Sequence, residues 1–108
     1  IDPNLKDIKA AKKFEVDCIE LHTGKISNLI KKRKNFNNEL KKIKKCCDLA
    51  EKIGLEVHAG HGLDYKTTAI LQKIDTIKEF NIGHFVIGEA IFFGLKNTIK
   101  KFKKLANK

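Results

Sequence analysis

The sequence predicts an α/β fold built on a parallel sheet, and three observations predict it. Short runs with period-two apolar alternation take turns with longer segments whose apolar residues recur every three or four positions. The order reads helix, strand, helix, strand, helix, strand, short buried segment, helix, with connections suited to right-handed crossovers. Two strand-like runs also end in glycine and histidine, Gly60-His61-Gly62 and Gly83-His84, at the carboxyl ends where α/β proteins place their chemistry.

Composition narrows the possibilities. The 108 residues are 42% hydrophobic and 33% charged, which suits one domain over residues 1–108 with its own core. A formal net charge of +10 would suit nucleic acid, an acidic membrane or phosphorylated small molecules. The lysines recur in Lys12-Lys13, Lys31-Lys32-Arg33-Lys34, Lys41-Lys42, Lys44-Lys45, Lys100-Lys101 and Lys103-Lys104, nearly all on what read as outer helix faces, so a solvated surface is the favoured explanation. No apolar run is long enough to span a bilayer, and no signal peptide is evident. Cys18, Cys46 and Cys47 form no metal-ligand spacing and read as reduced, partly buried thiols of a cytosolic protein. The chain begins Ile1-Asp2-Pro3 and contains no methionine, as expected of a piece of something longer or of a sequence whose methionines are missing.

The elements follow in order. Asp2-Pro3 is suited to opening a helix with Leu5, Ile8, Ala11 and Phe14 on one face, and Ile1 would be the tail of a preceding strand. Val16 to His22 reads as a strand with Ile19 and Leu21 on one side and Cys18, Glu20 and His22 on the other. A parallel sheet is expected to be buried on both faces, so Glu20 requires a cation, a histidine or a ligand as partner; the alternative is a strand with one wet face. Lys25 to Asn35 reads as a polar loop with the beginnings of a helix. Phe36, Leu40, Ile43, Cys47 and Ala50 then define a long amphipathic helix that Gly54 ends in a left-handed conformation.

Leu55 to Gly60 is the next strand, with Leu55, Val57 and Ala59 on one side and Glu56 and His58 on the other; His58 reads as a hydrogen-bonded core residue. Thr67 to Ile77 reads as a shorter helix with Ile70, Leu71 and Ile74 inward. Glu79 to His84 repeats the arrangement of apolar positions ending in Gly-His. The run from Phe85 to Gly94 either extends this strand to Ile87 or is already a buried helix. Leu95, Ile99, Phe102 and Leu105 mark a final amphipathic helix with a lysine outer face.

His61, between two glycines past a strand end, has exposed backbone on both sides, so anionic groups can approach main-chain N–H donors while the imidazole reaches the same space. On the plainer reading the glycines only permit a tight turn. If a helix starts at His84, its first N–H groups with those of Gly83 form an anion seat; if the strand persists, Gly88 is the candidate, and the first arrangement is preferred. A doubly wound open sheet and a section of a (β/α)-barrel both fit. An extra short helix before the last one favours the barrel, because barrels often bind phosphate between their last loops and such a helix. Three strands cannot close a barrel, so the preceding strands would lie elsewhere.

The strings Ile19-Glu20-Leu21-His22-Thr23-Gly24, Ala59-Gly60-His61-Gly62-Leu63 and Asn81-Ile82-Gly83-His84, followed by Ile87-Gly88, closely resemble the C-terminal half of the pyridoxine 5′-phosphate synthase family over essentially the whole chain. The resemblance implies about strands 6 to 8, with their helices, of a cytoplasmic (β/α)8 TIM barrel that typically assembles as an octamer. It implies condensation of 1-deoxy-D-xylulose 5-phosphate with 3-amino-2-oxopropyl phosphate, closing a pyridine ring and releasing phosphate and water, without organic cofactor or metal. Matched position by position, His61 is the acid/base histidine and Glu20 a glutamate that stabilises the transition state or intermediates. Gly62, Gly83 and His84 match positions that hold the amino-ketone phosphate largely through backbone N–H groups.

His58 stands where the family is expected to carry asparagine, and Lys25-Ile26-Ser27-Asn28 departs from the typical loop. The family's other catalytic histidine and glutamate, and its sugar-phosphate contacts, belong to the N-terminal half, so the chain alone is expected to be inactive. Two other readings stay open on the residues alone. Another phosphate-binding barrel isomerase or aldolase would act on a single phosphorylated substrate. A basic nucleic-acid-binding domain would show steeply salt-dependent affinity, and the near absence of exposed aromatics counts against it.

Overall fold

In the computed structural model, which describes residues 1–83, 91 and 94–106, β-branched and aliphatic residues alternate along three five-residue strands. These are β1 (Cys18–His22), β2 (Glu56–Gly60) and β3 (Ile77–Asn81). They pair in parallel in the order β1-β2-β3. Ile1 joins the outer edge of β1: its amino group donates to the Glu20 carbonyl, and the His22 N–H donates to the Ile1 carbonyl at 2.8 Å. That is the spacing of a parallel ladder, as the reading of Ile1 as a strand residue expects.

The register sorts side chains into two unlike faces. Ile19, Leu21, Val57, Ala59 and Ile77 are buried beneath helices α1 (Leu5–Lys13), α2 (Gly24–Lys31), α3 (Asn37–Lys52) and α4 (Tyr65–Leu71). These helices contribute Ile8, Ile26, Ile30, Ile43, Cys46, Cys47, Ala50 and Leu71 to one continuous core. On the opposite face, Glu20, His58 and Glu79 lie side by side in register, followed by His22, Gly60 and Asn81 one step further along. A register irregularity opposite Val57 and His58 absorbs Lys78 as an extra residue and so keeps Glu79 and Asn81 on this face. Among the described residues the sheet therefore has one wet face, and the expectation of burial on both sides is corrected.

Several boundaries differ for local reasons. Helix α1 begins after Asn4, not Asp2: Asn4 is extended (φ −134°, ψ 151°) and its side chain accepts the Asp7 N–H at 2.8 Å, while its amide donates to the Asp7 carboxylate at 3.1 Å. This reciprocal cap satisfies the helix start better than the preceding Asp-Pro pair can. Of the face read for this helix, Ile8 is buried and Ala11 half-buried, whereas Leu5 and Phe14 are exposed. Residues 25–31, expected to be largely loop, are helical because Ile26 and Ile30, four apart, both enter the core.

Helix α4 is shorter and earlier than the spacing suggests. The Asp64 carboxylate accepts the Thr67 N–H at 2.8 Å and starts the helix at Tyr65, and Ile77 opens β3 instead of closing the helix. Likewise, β1 starts at Cys18 instead of Val16, and β3 ends at Asn81. Gly54, at φ +83°, ends α3 as expected. The last helix, α5 (Leu95–Ala106), packs on α4 through Phe102, whose ring centroid lies 4.6 Å from that of Tyr65. Leu95 and Ile99, on the apolar side of α5, remain exposed.

The thiols also divide. Cys18 is exposed, a departure from the expected partial burial, whereas Cys46 and Cys47 are buried, and burial pushes the Cys46 thiol up from its ordinary value. The lysines of α3 and α5 face solvent. No helix among the described residues is long and apolar enough to cross a membrane. His84, Gly88 and the strand-or-helix choice over 85–88 lie outside the described residues.

Candidate active site

Parallel strands align their carboxyl ends, so the last residues of β1, β2 and β3 and the turns after them share one edge of the sheet. There the polar face meets the turn Gly60-His61-Gly62. His61 has φ +81° and Gly62 φ +72°, so a non-glycine residue is held in the left-handed region, at a local cost of about 1–2 kcal/mol. Thr23 opposes that cost. Its N–H donates to the Gly60 carbonyl at 2.8 Å, and its hydroxyl lies 2.8 Å from the Gly60 carbonyl and 2.7 Å from that of His61. Both turn carbonyls thus reach the same buried hydroxyl, and the end of β2 is clamped to the end of β1.

The clamped turn sets the His61 imidazole beside Glu20, with Nδ1 3.4 Å from Oε1. Glu20 is partly exposed, as is His61, so the carboxylate is not the buried charge that a two-sided sheet would have made it. The other oxygen, Oε2, accepts the Asn81 side-chain amide at 2.6 Å. Glu20 stands on β1 and Asn81 on β3, and the carboxylate crosses β2 at Gly60, where a Cβ would overlap it. The requirement for glycine here is steric, since Gly60 is not among the glycines with positive φ.

His22 completes the edge. Its ring stacks on that of His61, with centroids 4.3 Å apart and planes 16° from parallel. The Gly24 N–H donates to His22 Nδ1 at 3.2 Å, which assigns the ring proton of a neutral His22 to Nε2. Lower on the same face, His58 Nε2 lies 2.8 Å from Glu56 and 3.9 Å from Glu79. The hydrogen bond expected for His58 is met by the Glu56 carboxylate, but the expected core position is corrected: His58 lies on the polar face of the sheet, outside the core.

The remaining candidates sit around this pair. Gly62 follows His61 directly, and a Cβ there would press on Ser27 at 3.1 Å. The Ser27 hydroxyl is buried and has no hydrogen-bond partner among the described residues. Gly83 lies two residues beyond β3 in open space, where an added Cβ would meet nothing within 4 Å among the described residues. Among the described residues no group of three or more His, Cys, Asp or Glu side chains converges as a metal site.

His61 and Glu20 are therefore neighbours, with Gly62 adjoining. Sequence reasoning missed Asn81, His22 and Thr23 as members of the same edge. Period-two alternation already placed His22 with Glu20, but only the register between strands brings Asn81 across Gly60. Replacing Gly60 by Ala is expected to expel the Glu20 carboxylate and free the Asn81 amide. In ¹⁵N-edited spectra the Asn81 side-chain NH₂ signals should shift toward those of a solvated amide; unchanged signals would contradict the steric account.

Comparison with known proteins identifies the family of the chain as a whole. The family model described as "Pyridoxal phosphate biosynthesis protein PdxJ" matches residues 1–108. A pyridoxine 5′-phosphate synthase of Pelagibacter ubique is 67% identical over 108 residues, covering 100% of this chain and 45% of that protein. Synthases of the same name from Sulfurihydrogenibium sp. and Zymomonas mobilis are each 43% identical over 105 residues, covering 97% of this chain and 42% and 40% of theirs. The chain spans less than half the length of these curated relatives. With a family model matched from end to end, the chain belongs to the pyridoxal phosphate biosynthesis protein PdxJ family.

Proposed function

We propose that the whole protein to which this chain belongs is a pyridoxine 5′-phosphate synthase. It condenses 1-deoxy-D-xylulose 5-phosphate with 3-amino-2-oxopropyl phosphate, and this chain supplies the C-terminal half of its barrel, about strands 6 to 8. The observation that carries the reading is the His61–Glu20 pair, 3.4 Å apart, at the carboxyl edge of a parallel sheet. Three further features support the barrel. The polar face of the sheet lacks a helix layer among the described residues and suits a barrel interior lined by several strands. The ladder bonds of Ile1 to β1 support another strand at that edge. Relatives more than twice as long supply chain for the remaining strands, so residues 1–108 form one partial domain that is inactive alone.

Ring closure requires repeated proton transfers, and an imidazole works in both directions near neutral pH. With Nδ1 turned to Glu20, His61 presents Nε2 to the reacting atoms. Glu20 stabilises the imidazolium whenever the ring holds a proton, and also positive charge that develops on the amine-derived nitrogen of the substrate. Gly62 and Gly83 offer backbone N–H groups to the amino-ketone phosphate, and the absent side chain at Gly62 leaves room for the buried Ser27 beside it. His84 takes the same role by family resemblance. The same resemblance implies a cytoplasmic homo-octamer that needs neither cofactor nor metal.

In the full-length protein, His61→Asn should retain binding of the phosphorylated substrates while turnover falls at least about a hundredfold, the usual scale for a general acid/base. Steady-state assay of product formation checks this, and near-normal turnover would remove His61 from the mechanism. Gly83→Val adds a side chain that meets nothing within 4 Å among the described residues. It should raise the Kd for 3-amino-2-oxopropyl phosphate measured by calorimetry, and an unchanged Kd would move the anion seat elsewhere.

A further inference from the structure

The Glu20 carboxylate has two oxygens with two different partners. Oε1 faces His61 Nδ1 at 3.4 Å, and Oε2 accepts the Asn81 amide at 2.6 Å. A glutamate side chain on a strand has three rotatable bonds and, partly exposed as this one is, would sample several rotamers. Here its direction is unusual, because the carboxylate lies across the neighbouring strand, above Gly60 and against a residue 61 positions away in sequence.

We propose that Asn81 is a positioning residue for Glu20. By donating to Oε2 across the gap at Gly60, it turns Oε1 toward His61 and fixes the carboxylate–imidazole pair in its working geometry. The inference rests on the reading of Glu20 and His61 as parts of the synthase mechanism and adds a residue that acts through them. The chemistry favours an amide in this role. Asparagine donates without adding charge, so Glu20 keeps its full negative charge for His61, whereas a lysine at Asn81 would compete with the imidazole for it. The register places Asn81 directly across from Gly60, so glycine on β2 and an amide on β3 serve as two halves of one device. Glu79, two residues before Asn81 on the same face, lies in register with His58, one step away from the Glu20–Asn81 contact.

The test is a double-mutant cycle in the full-length enzyme, with turnover and both KM values measured for the wild type, Asn81→Leu, Glu20→Gln and the double variant. Asn81→Asp has the same size but replaces the donor by a charge that repels Glu20, and it serves if the leucine variant does not fold. Loss of positioning should lower kcat about tenfold or more, the scale of a small misplacement of a catalytic group, with both KM values within about twofold. In the Glu20→Gln background the Asn81 substitution should cost nothing further, because its effect travels through Glu20. An additive loss, or a rise in one KM with kcat preserved, would overturn the proposal by making Asn81 a direct substrate contact. Wild-type turnover in both Asn81 variants while Glu20→Gln is impaired would overturn it as well. Full activity in Glu20→Gln would defeat the underlying role of Glu20 and the inference together.

Discussion

The missing side chain at Gly60 is the constraint on which the candidate site depends. Glu20 can reach Asn81 only by passing over β2, and a single methyl group at Gly60 would occupy that passage. The glycine lets a carboxylate from the first strand be held by an amide on the third while its other oxygen stays beside His61. Thr23 fixes the remaining partner: its hydroxyl sits between the carbonyls of Gly60 and His61 and keeps the left-handed turn in place. The geometry of the pair thus follows from two close approaches of backbone and side chain, one permitted by glycine and the other tied by threonine.

The helices make these approaches reproducible. On one side of the sheet, aliphatic residues from four helices and three strands share a continuous core, which sets the register of every strand, because slipping by one residue would exchange the apolar and polar faces. The polar face then follows without choice: Glu20, His58 and Glu79 in one row, His22, Gly60 and Asn81 in the next. A helix-covered parallel sheet that keeps carboxylates and imidazoles on its other face is suited to water or a polar ligand on that side. In the proposed barrel this face becomes the wall of an enclosed site.

Much of this was legible in the sequence. Alternation along β1 and β2 separated Ile19 and Leu21 from Glu20, and Val57 and Ala59 from His58, and Gly54 marked the end of α3. The Gly-His-Gly turn pointed to the carboxyl edge. Less legible were features that depend on partners far away. Asn4 outcompetes Asp2 as a cap because its side chain both accepts the Asp7 N–H and donates to the Asp7 carboxylate. Ile26 and Ile30 draw a polar segment into helix because the core has room for both. Asn81 looked like an ordinary residue of a repeated motif, since nothing local reveals that β3 brings it opposite Gly60. The wet face of the sheet was the less expected alternative, because the rule for parallel sheets assumes that both faces are covered.

The measurement that tests the central claim most directly is a crystal structure of the full-length protein with 3-amino-2-oxopropyl phosphate bound. The account predicts the phosphate between the turns that follow β2 and β3, against Gly62 and Gly83, with the reacting end of the molecule over His61 Nε2 and Glu20 still held by Asn81. A ligand bound on the lysine-rich outer helices, or one seated in the barrel with His61 and Glu20 turned away from it, would contradict the account.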